Sequence, residues 1–198
     1  MQKLTIHPAT SDLWPALRDL FGEKGACGGC WCMYWRIGNE YRRRSQEANR
    51  ADLLEVVIKG PPPGLIAFDG ELAVAWCQLT PRALLPWLDR AWQRIDDLPV
   101  WSISCFYIRK GYRRQGITSA LIQKAIEITR KAGVPSLEAY PLNADLSPSA
   151  TGTGYVSTFL RAGFRVVGRR SLARPIMRLD LRSDSKIDPL GTPVDLRC

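Results

Sequence analysis

The stretch Ile108-Arg109-Lys110-Gly111-Tyr112-Arg113-Arg114-Gln115-Gly116-Ile117-Thr118-Ser119 decides how the rest of the chain is read. It joins an apolar run, Val100 to Ile108, to a segment in which Ile117, Leu121, Ile122, Ala125 and Ile128 recur at helical spacing as far as the stop at Gly133. A strand, a turn and an amphipathic helix follow from that pattern. A helix start leaves about four backbone N–H groups without internal partners and carries roughly half a positive charge, so it can hold a phosphate. Gly116 lets a bulky anion approach the backbone, while Arg109, Lys110, Arg113 and Arg114 add charge. The bland alternative is a solvated basic turn that precedes a helix.

Working outward toward the N-terminus, Leu4 opens a short strand, and Thr10-Ser11-Asp12 offers caps for a helix carrying Leu13, Trp14, Leu17, Leu20 and Phe21. The glycine-rich stretch Gly22 to Gly29 breaks that helix and leads into Cys30-Trp31-Cys32-Met33-Tyr34-Trp35. A second helix is predicted over Glu47 to Lys59, with Leu53, Leu54, Val57 and Ile58 on one side, ended by Gly60-Pro61-Pro62-Pro63-Gly64. Leu65 to Phe68 and Leu72 to Leu79 flank Asp69-Gly70 and read as a hairpin. Residues 82 to 95 are helical in pattern but interrupted by Pro86.

Toward the C-terminus come a strand at Ser136 to Tyr140, a long loop from Pro141 to Gly154, a short helix to Ala162, and strands at Phe164 to Arg170 and Pro175 to Leu181. Ser183 to Cys198 reads as a loosely held tail. This order predicts one α/β (α+β) domain over 1–182: a mixed, mostly antiparallel sheet of about six to seven strands with flanking helices. At 198 residues, 45% hydrophobic, the length suits a single core.

Charge narrows the partners. With 28 Lys and Arg against 19 Asp and Glu, the net charge is +9, and such a surface attracts phosphates, acidic lipids, nucleic acids or a polyanionic cofactor. No run approaches the roughly 18 to 20 apolar residues of a bilayer span. The start, Met1 to Pro8, lacks the apolar core of a secretory signal, and six scattered cysteines then suggest reduced thiols in a cytoplasmic protein.

The segment around Gly116 resembles the acetyl-CoA-binding motif of the GNAT superfamily: Gln or Arg, two residues, Gly, one residue, then Gly or Ala, between a strand and a helix. Arg113, Gly116 and Thr118 occupy those positions. The resemblance extends through Cys105-Phe106-Tyr107-Ile108, the helix with Leu121, the strand at 136–140 and Phe159-Leu160-Arg161-Ala162-Gly163-Phe164. It is good from about Leu65 to Leu181 and looser over residues 1–64, where the acyl acceptor would bind.

The resemblance implies an N-acetyltransferase with acetyl-CoA held by backbone amides of residues 113–118 and the first helical residue beyond, Ser119. The pantetheine arm would pair along Phe106, Tyr107 and Ile108, in a cleft where two strands splay apart beside Phe159. An amine of a small molecule or protein would attack the thioester directly, with a strand N–H stabilising the oxyanion. Homodimerisation is compatible with the resemblance.

Two departures matter. Thr118 stands where the pattern has Gly or Ala, and offers a hydroxyl to a phosphate oxygen. Phe159 stands where many members carry a tyrosine as general acid, so Tyr155, one helical turn earlier, is the substitute. For the base, Glu138 beside the cleft is first candidate and Asp97 second; His7, the only histidine, reads as a surface residue.

Trp31, Met33, Tyr34 and Trp35, with Tyr140, are candidates for an acceptor pocket. Cys27, Cys30 and Cys32 have zinc-ligand chemistry, but no fourth ligand is evident, so packing is expected and no metal. Cys105 reads as an inert interior thiol. Two other functions fit the residues: an acyl-CoA-binding sensor that transfers nothing, and a basic nucleic-acid module using Arg42, Arg43 and Arg44.

Overall fold

A computed structural model describes residues 4–143 and 152–182. The tail at 183–198 and the centre of the Pro141–Gly154 loop lie outside the described residues.

The chain order is β1 (Leu4–Pro8), α1 (Trp14–Phe21), α2 (Tyr34–Ile37), α3 (Gln46–Lys59), β2 (Gly64–Asp69), β3 (Leu72–Pro81), α4 (Pro86–Ala91), β4 (Val100–Ile108), α5 (Ile117–Lys131), β5 (Ser136–Ala139), α6 (Val156–Arg161), β6 (Arg165–Ser171) and β7 (Arg174–Asp180). The strands form one sheet in the order β1-β2-β3-β4-β5-β7-β6. Every pairing is antiparallel except β4 with β5, which are joined through α5. A parallel pair requires such a crossover, and here the helix supplies it.

That parallel pairing is short. Val100–Ile103 matches Ser136–Ala139, and beyond Ile103 strand β4 continues to Ile108 against β3 alone. The register with β3 passes from Gln78↔Cys105 to Leu79↔Ile103, leaving Ser104 as the extra residue of a β-bulge. A bulge bends its strand and increases local twist, which parts β4 from β5 at this point.

Core residues cover both faces of the sheet. Leu121, Ile122 and Ala125 of α5 join Ile103, Phe106, Leu137 and Phe159 on one side. Leu17, Leu20 and Phe21 of α1 meet Trp31, Ile66 and Trp76 on the other. The α5 face matches its helical pattern, whereas the predicted apolar side of α3 is only half right: Leu53 and Val57 are buried, and Ile58 is 64% exposed. The hairpin tip falls one residue later than predicted, because pairing runs through Asp69↔Leu72 and leaves Gly70-Glu71 to turn, with Gly70 at φ 62°. Pro86 begins α4 instead of breaking a longer helix, since a missing N–H costs nothing in the first turn. No helix among the described residues is long and apolar enough to cross a membrane.

Candidate active site

Helix α5 begins without a cap. Gly116, at φ 77°, is its N-cap residue; no side chain bonds the first turn and no acidic residue lies in it. A Cβ at Gly116 would meet nothing within 4 Å. Arg113, Arg114, Gln115, Gly116 and Ser119 are exposed, Thr118 is half-buried and Ile117 is buried. Arg114 adopts φ 63°, which curls the loop immediately before the helix. Among the described residues neither Arg113 nor Arg114 forms an ion pair; Arg113 Nε donates to the Ile108 carbonyl at 3.5 Å, and Gln115 Nε2 to Gly111 at 2.8 Å. Arg109 behaves differently from the expectation that it adds free charge: it donates to Ala73 O at 3.0 Å and to Asp19 Oδ2 at 2.6 Å, and so ties the turn to the body.

Beside this helix start lies the outer edge of β4 after the bulge. Phe106 is buried, while Tyr107 and Ile108 are half-buried. The Phe106 N–H donates to the Gly152 carbonyl at 2.5 Å. Leu142 N–H donates to Gly154 O at 2.9 Å and Val156 N–H to Leu142 O at 3.2 Å, so residues 152–156 run as a strap between β4 and the continuation of β5. Gly154 must be small: its Cβ would stand 3.3 Å from Phe106 and 3.2 Å from Phe159. Tyr155 is the half-buried N-cap residue of α6 at this gap. Phe159 is fully buried between Phe106 and Phe164, at ring-centroid distances of 6.2 and 5.1 Å, so it supports the edge from beneath instead of lining it as expected.

Glu138 sits opposite Ser102 on the paired half of the strands. It is wholly buried, and both oxygens are engaged: Oε1 accepts from Arg82 Nη1 and from the Tyr140 hydroxyl, each at 2.5 Å, and Oε2 accepts from Arg178 at 2.7 and 3.2 Å. Asp89 at 2.8 Å from Arg82 and Asp96 at 2.6 Å from Arg178 give each arginine a second carboxylate. Tyr140 also bonds Ser102 Oγ at 3.0 Å, and burial together with the adjacent Glu138 charge pushes its phenol well up. The expectation of Glu138 as a free base therefore meets a carboxylate whose lone pairs are filled, and Tyr140 is locked in the same knot between Trp35 and Trp92. Asp97 is exposed and lines a cavity of about 400 Å³ with Arg82, Arg94, Trp101 and Arg178, at the opposite end of β4 from α5.

Of the aromatic candidates, Trp31, Met33 and Trp35 are buried, which removes them from any open acceptor pocket; only Tyr34 is half-exposed. The Trp35 indole N–H instead donates to the Ser104 carbonyl at 2.8 Å and pins the bulge. Nothing local in the sequence signals that contact, which spans 69 residues. Exposed His7 agrees with its reading as a surface residue.

A sheet whose one parallel pair parts at a bulge, beside a bare helix N-terminus, has the architecture of a coenzyme A-dependent acyltransferase. The sequence model of the acetyltransferase (GNAT) family matches residues 29–164, and the chain belongs to that family. It is an acyltransferase with acetyl-CoA as cofactor. Among curated proteins no sequence matches. The fold is similar to PaiA N-acetyltransferase of Thermoplasma acidophilum in complex with coenzyme A, at 14% identity and TM-score 0.56, over 90% of this chain and 99% of that one. Salmonella typhimurium yncA with acetyl-CoA matches at 15% identity and TM-score 0.57, over 94% and 98%. An N-acetyltransferase of Staphylococcus aureus Mu50 matches at 13% and 0.57, over 91% and 100%.

Proposed function

We propose that this enzyme transfers acetyl from acetyl-CoA to an amine of a small molecule or protein, with the diphosphate on the start of α5. The observation that carries the reading is the start itself: backbone amides without a side-chain cap, open space over Gly116, and two exposed arginines that form no ion pair among the described residues. These residues fit the cofactor's polyanionic portion. The N–H groups of Ile117, Thr118 and Ser119 point along a helix dipole that favours negative charge, and Arg113 and Arg114 add exposed cations. The Thr118 hydroxyl adds one donor.

Acetyl-CoA supplies an activated acyl carbonyl and a thiol leaving group of pKa about 8.5. The chain's part is to orient both. The Phe106 N–H, two residues past the bulge, is held by the Gly152 carbonyl until an incoming pantetheine amide displaces the strap. Tyr155, at the foot of that strap, hands a proton to the departing sulfur in this reading. Glu138 serves as a positioning residue: through Tyr140 and Ser102 it keeps β4 and β5 in contact up to the point where they part. That leaves the amine to be deprotonated by solvent or by its own acidic neighbours.

Calorimetric titration with CoA, followed by thiol release from acetyl-CoA over a panel of amines, tests the proposal. Saturable binding and amine-dependent release are expected. Absence of any heat at millimolar CoA would overturn the cofactor site, while binding without release for every amine would overturn transfer.

A further inference from the structure

The cavity at the end of β4 remote from α5 has no part in the acetyl-transfer site. Four segments converge on it: Pro81 and Arg82 at the end of β3, the run from Arg94 to Trp101 that leads into β4, the turn Gly133–Pro135 between α5 and β5, and Arg178 of β7. Its volume of about 400 Å³ falls at the small end of ligand pockets, which run from about 300 to 1,000 Å³. Trp101 and Phe106 are five residues apart on one strand, so the cavity lies roughly 16 Å from the cleft edge at Phe106.

Two buried arginines form part of its wall. Arg82 makes three hydrogen bonds, to Asp89 Oδ1 at 2.8 Å, Glu138 Oε1 at 2.5 Å and the Trp92 carbonyl at 2.7 Å. Arg178 also makes three, two to Glu138 Oε2 at 2.7 and 3.2 Å and one to Asp96 Oδ2 at 2.6 Å. A guanidinium carries five N–H donors, so each keeps two that have no acceptor among the described residues. Exposed Arg94 bonds Asp89 alone. On the acidic side, Asp96 is held by Arg178 and by the Leu98 N–H at 3.1 Å. Asp97 is exposed and makes no hydrogen bond or ion pair among the described residues. The cavity thus offers spare guanidinium donors together with one spare carboxylate.

Charge selects among ligands. The three guanidinium groups stand against four carboxylates, Asp96 and Asp97 in the wall and Asp89 and Glu138 as direct partners of its arginines. A simple anion meets no net positive charge there, and a simple cation lies beside three guanidinium groups. A zwitterion meets both conditions: its carboxylate takes the free N–H groups, to which the planar guanidinium is matched, and its ammonium takes Asp97. The rest of the wall includes half-buried Trp101, Leu98 and three prolines, Pro81, Pro99 and Pro135, which carry no N–H to compete for a polar group. That surface accommodates a hydrocarbon side chain. We propose that this cavity is a binding site for a free α-amino acid with an apolar side chain, its carboxylate on the arginines, its ammonium on Asp97 and its side chain against Trp101. The ligand rests on the two arginines that hold Glu138, and because it binds only the folded chain it raises the melting temperature.

The experiment titrates the full-length protein by calorimetry with L-leucine and L-phenylalanine, with and without millimolar CoA. Saturable binding with a dissociation constant below about 1 mM is expected in both conditions. Phenethylamine, which lacks the carboxylate, and 3-phenylpropanoate, which lacks the ammonium, should each bind at least about tenfold more weakly than phenylalanine. No heat from either amino acid, equal binding of either analogue, or displacement by CoA overturns the proposal. Asp97→Asn has no hydrogen bond to lose, so its melting temperature without ligand should be unchanged while amino-acid binding weakens about tenfold or more. Replacing Arg113 and Arg114 by Ala should leave that binding as it was. The opposite pattern, with Asp97→Asn silent and the arginine pair sensitive, would put the amino acid in the cofactor cleft and overturn the assignment.

Discussion

The two halves of β4, Val100–Ile103 and Cys105–Ile108, are both largely apolar and have opposite fates. From Val100 to Ile103 the strand is hydrogen-bonded on both sides, and Ser102 faces the buried Arg82–Glu138–Arg178 knot. From Cys105 to Ile108 it has β3 on one side and a glycine strap on the other, next to an uncapped helix. One inserted residue, Ser104, separates a half paired with β5 from a half whose outer edge meets the strap at Gly152. Stability and chemistry are divided along a single strand, and substitutions in the two halves should fail in different ways.

The largest effect is expected in the paired half. Glu138→Ala removes the buried carboxylate shared by two guanidinium groups and a phenol, leaving Arg82 with Asp89 and Arg178 with Asp96, and breaking a buried pair in this way costs about 3–5 kcal/mol. Thermal unfolding should show that loss, and retention of full stability would mean that the knot is open to water. Glu138→Gln should recover part of it.

In the open half, Tyr155→Phe should lower kcat about a hundredfold, the low end of a general acid's contribution, while CoA affinity measured by calorimetry stays unchanged. A parallel drop in affinity would assign Tyr155 to binding instead. Replacing Arg113 and Arg114 together by Ala removes two exposed cations worth roughly 0.3–1 kcal/mol each at a helix terminus, so CoA should bind about three- to thirtyfold more weakly with no change in melting temperature. An unaltered dissociation constant would move the diphosphate elsewhere.

The smallest effect separates the halves by pH. Burial raises the Asp89 carboxyl, but Arg94 and Arg82 outweigh it and hold the group below the ordinary range; Arg178 does the same for Asp96. Carboxyls depressed in the folded state bind fewer protons than in the unfolded chain, so their contribution is complete above about pH 4 and is lost as pH falls through the folded values. Melting temperature should fall on acidification below that point, and Asp96→Asn should flatten the slope. The α5 loop has no acidic residue in its first turn to add to it.

The candidate site was legible where it depended on neighbours in sequence. Periodicity from Ile117 to Lys131 and the glycine before it located α5, and Val100–Ile108 emerged with the same bounds as predicted. Prediction went astray where partners are remote. Glu138 looked like a base beside a cleft because Arg82 and Arg178, 56 and 40 residues away, cannot be seen from its own strand. Trp31, Met33 and Trp35 looked like a pocket because aromatic density marks a buried cluster as readily as an open one.

By itself the sequence determined the strand–turn–helix unit, the glycine at the start of α5 and the order of elements, since each follows from backbone propensity and spacing over a few turns. Only the tertiary structure decided where β4 parts from β5 and which carboxylate is neutralised. Those outcomes depend on desolvation and on hydrogen bonds between segments far apart in the chain, and such terms exist only once the segments have been brought together.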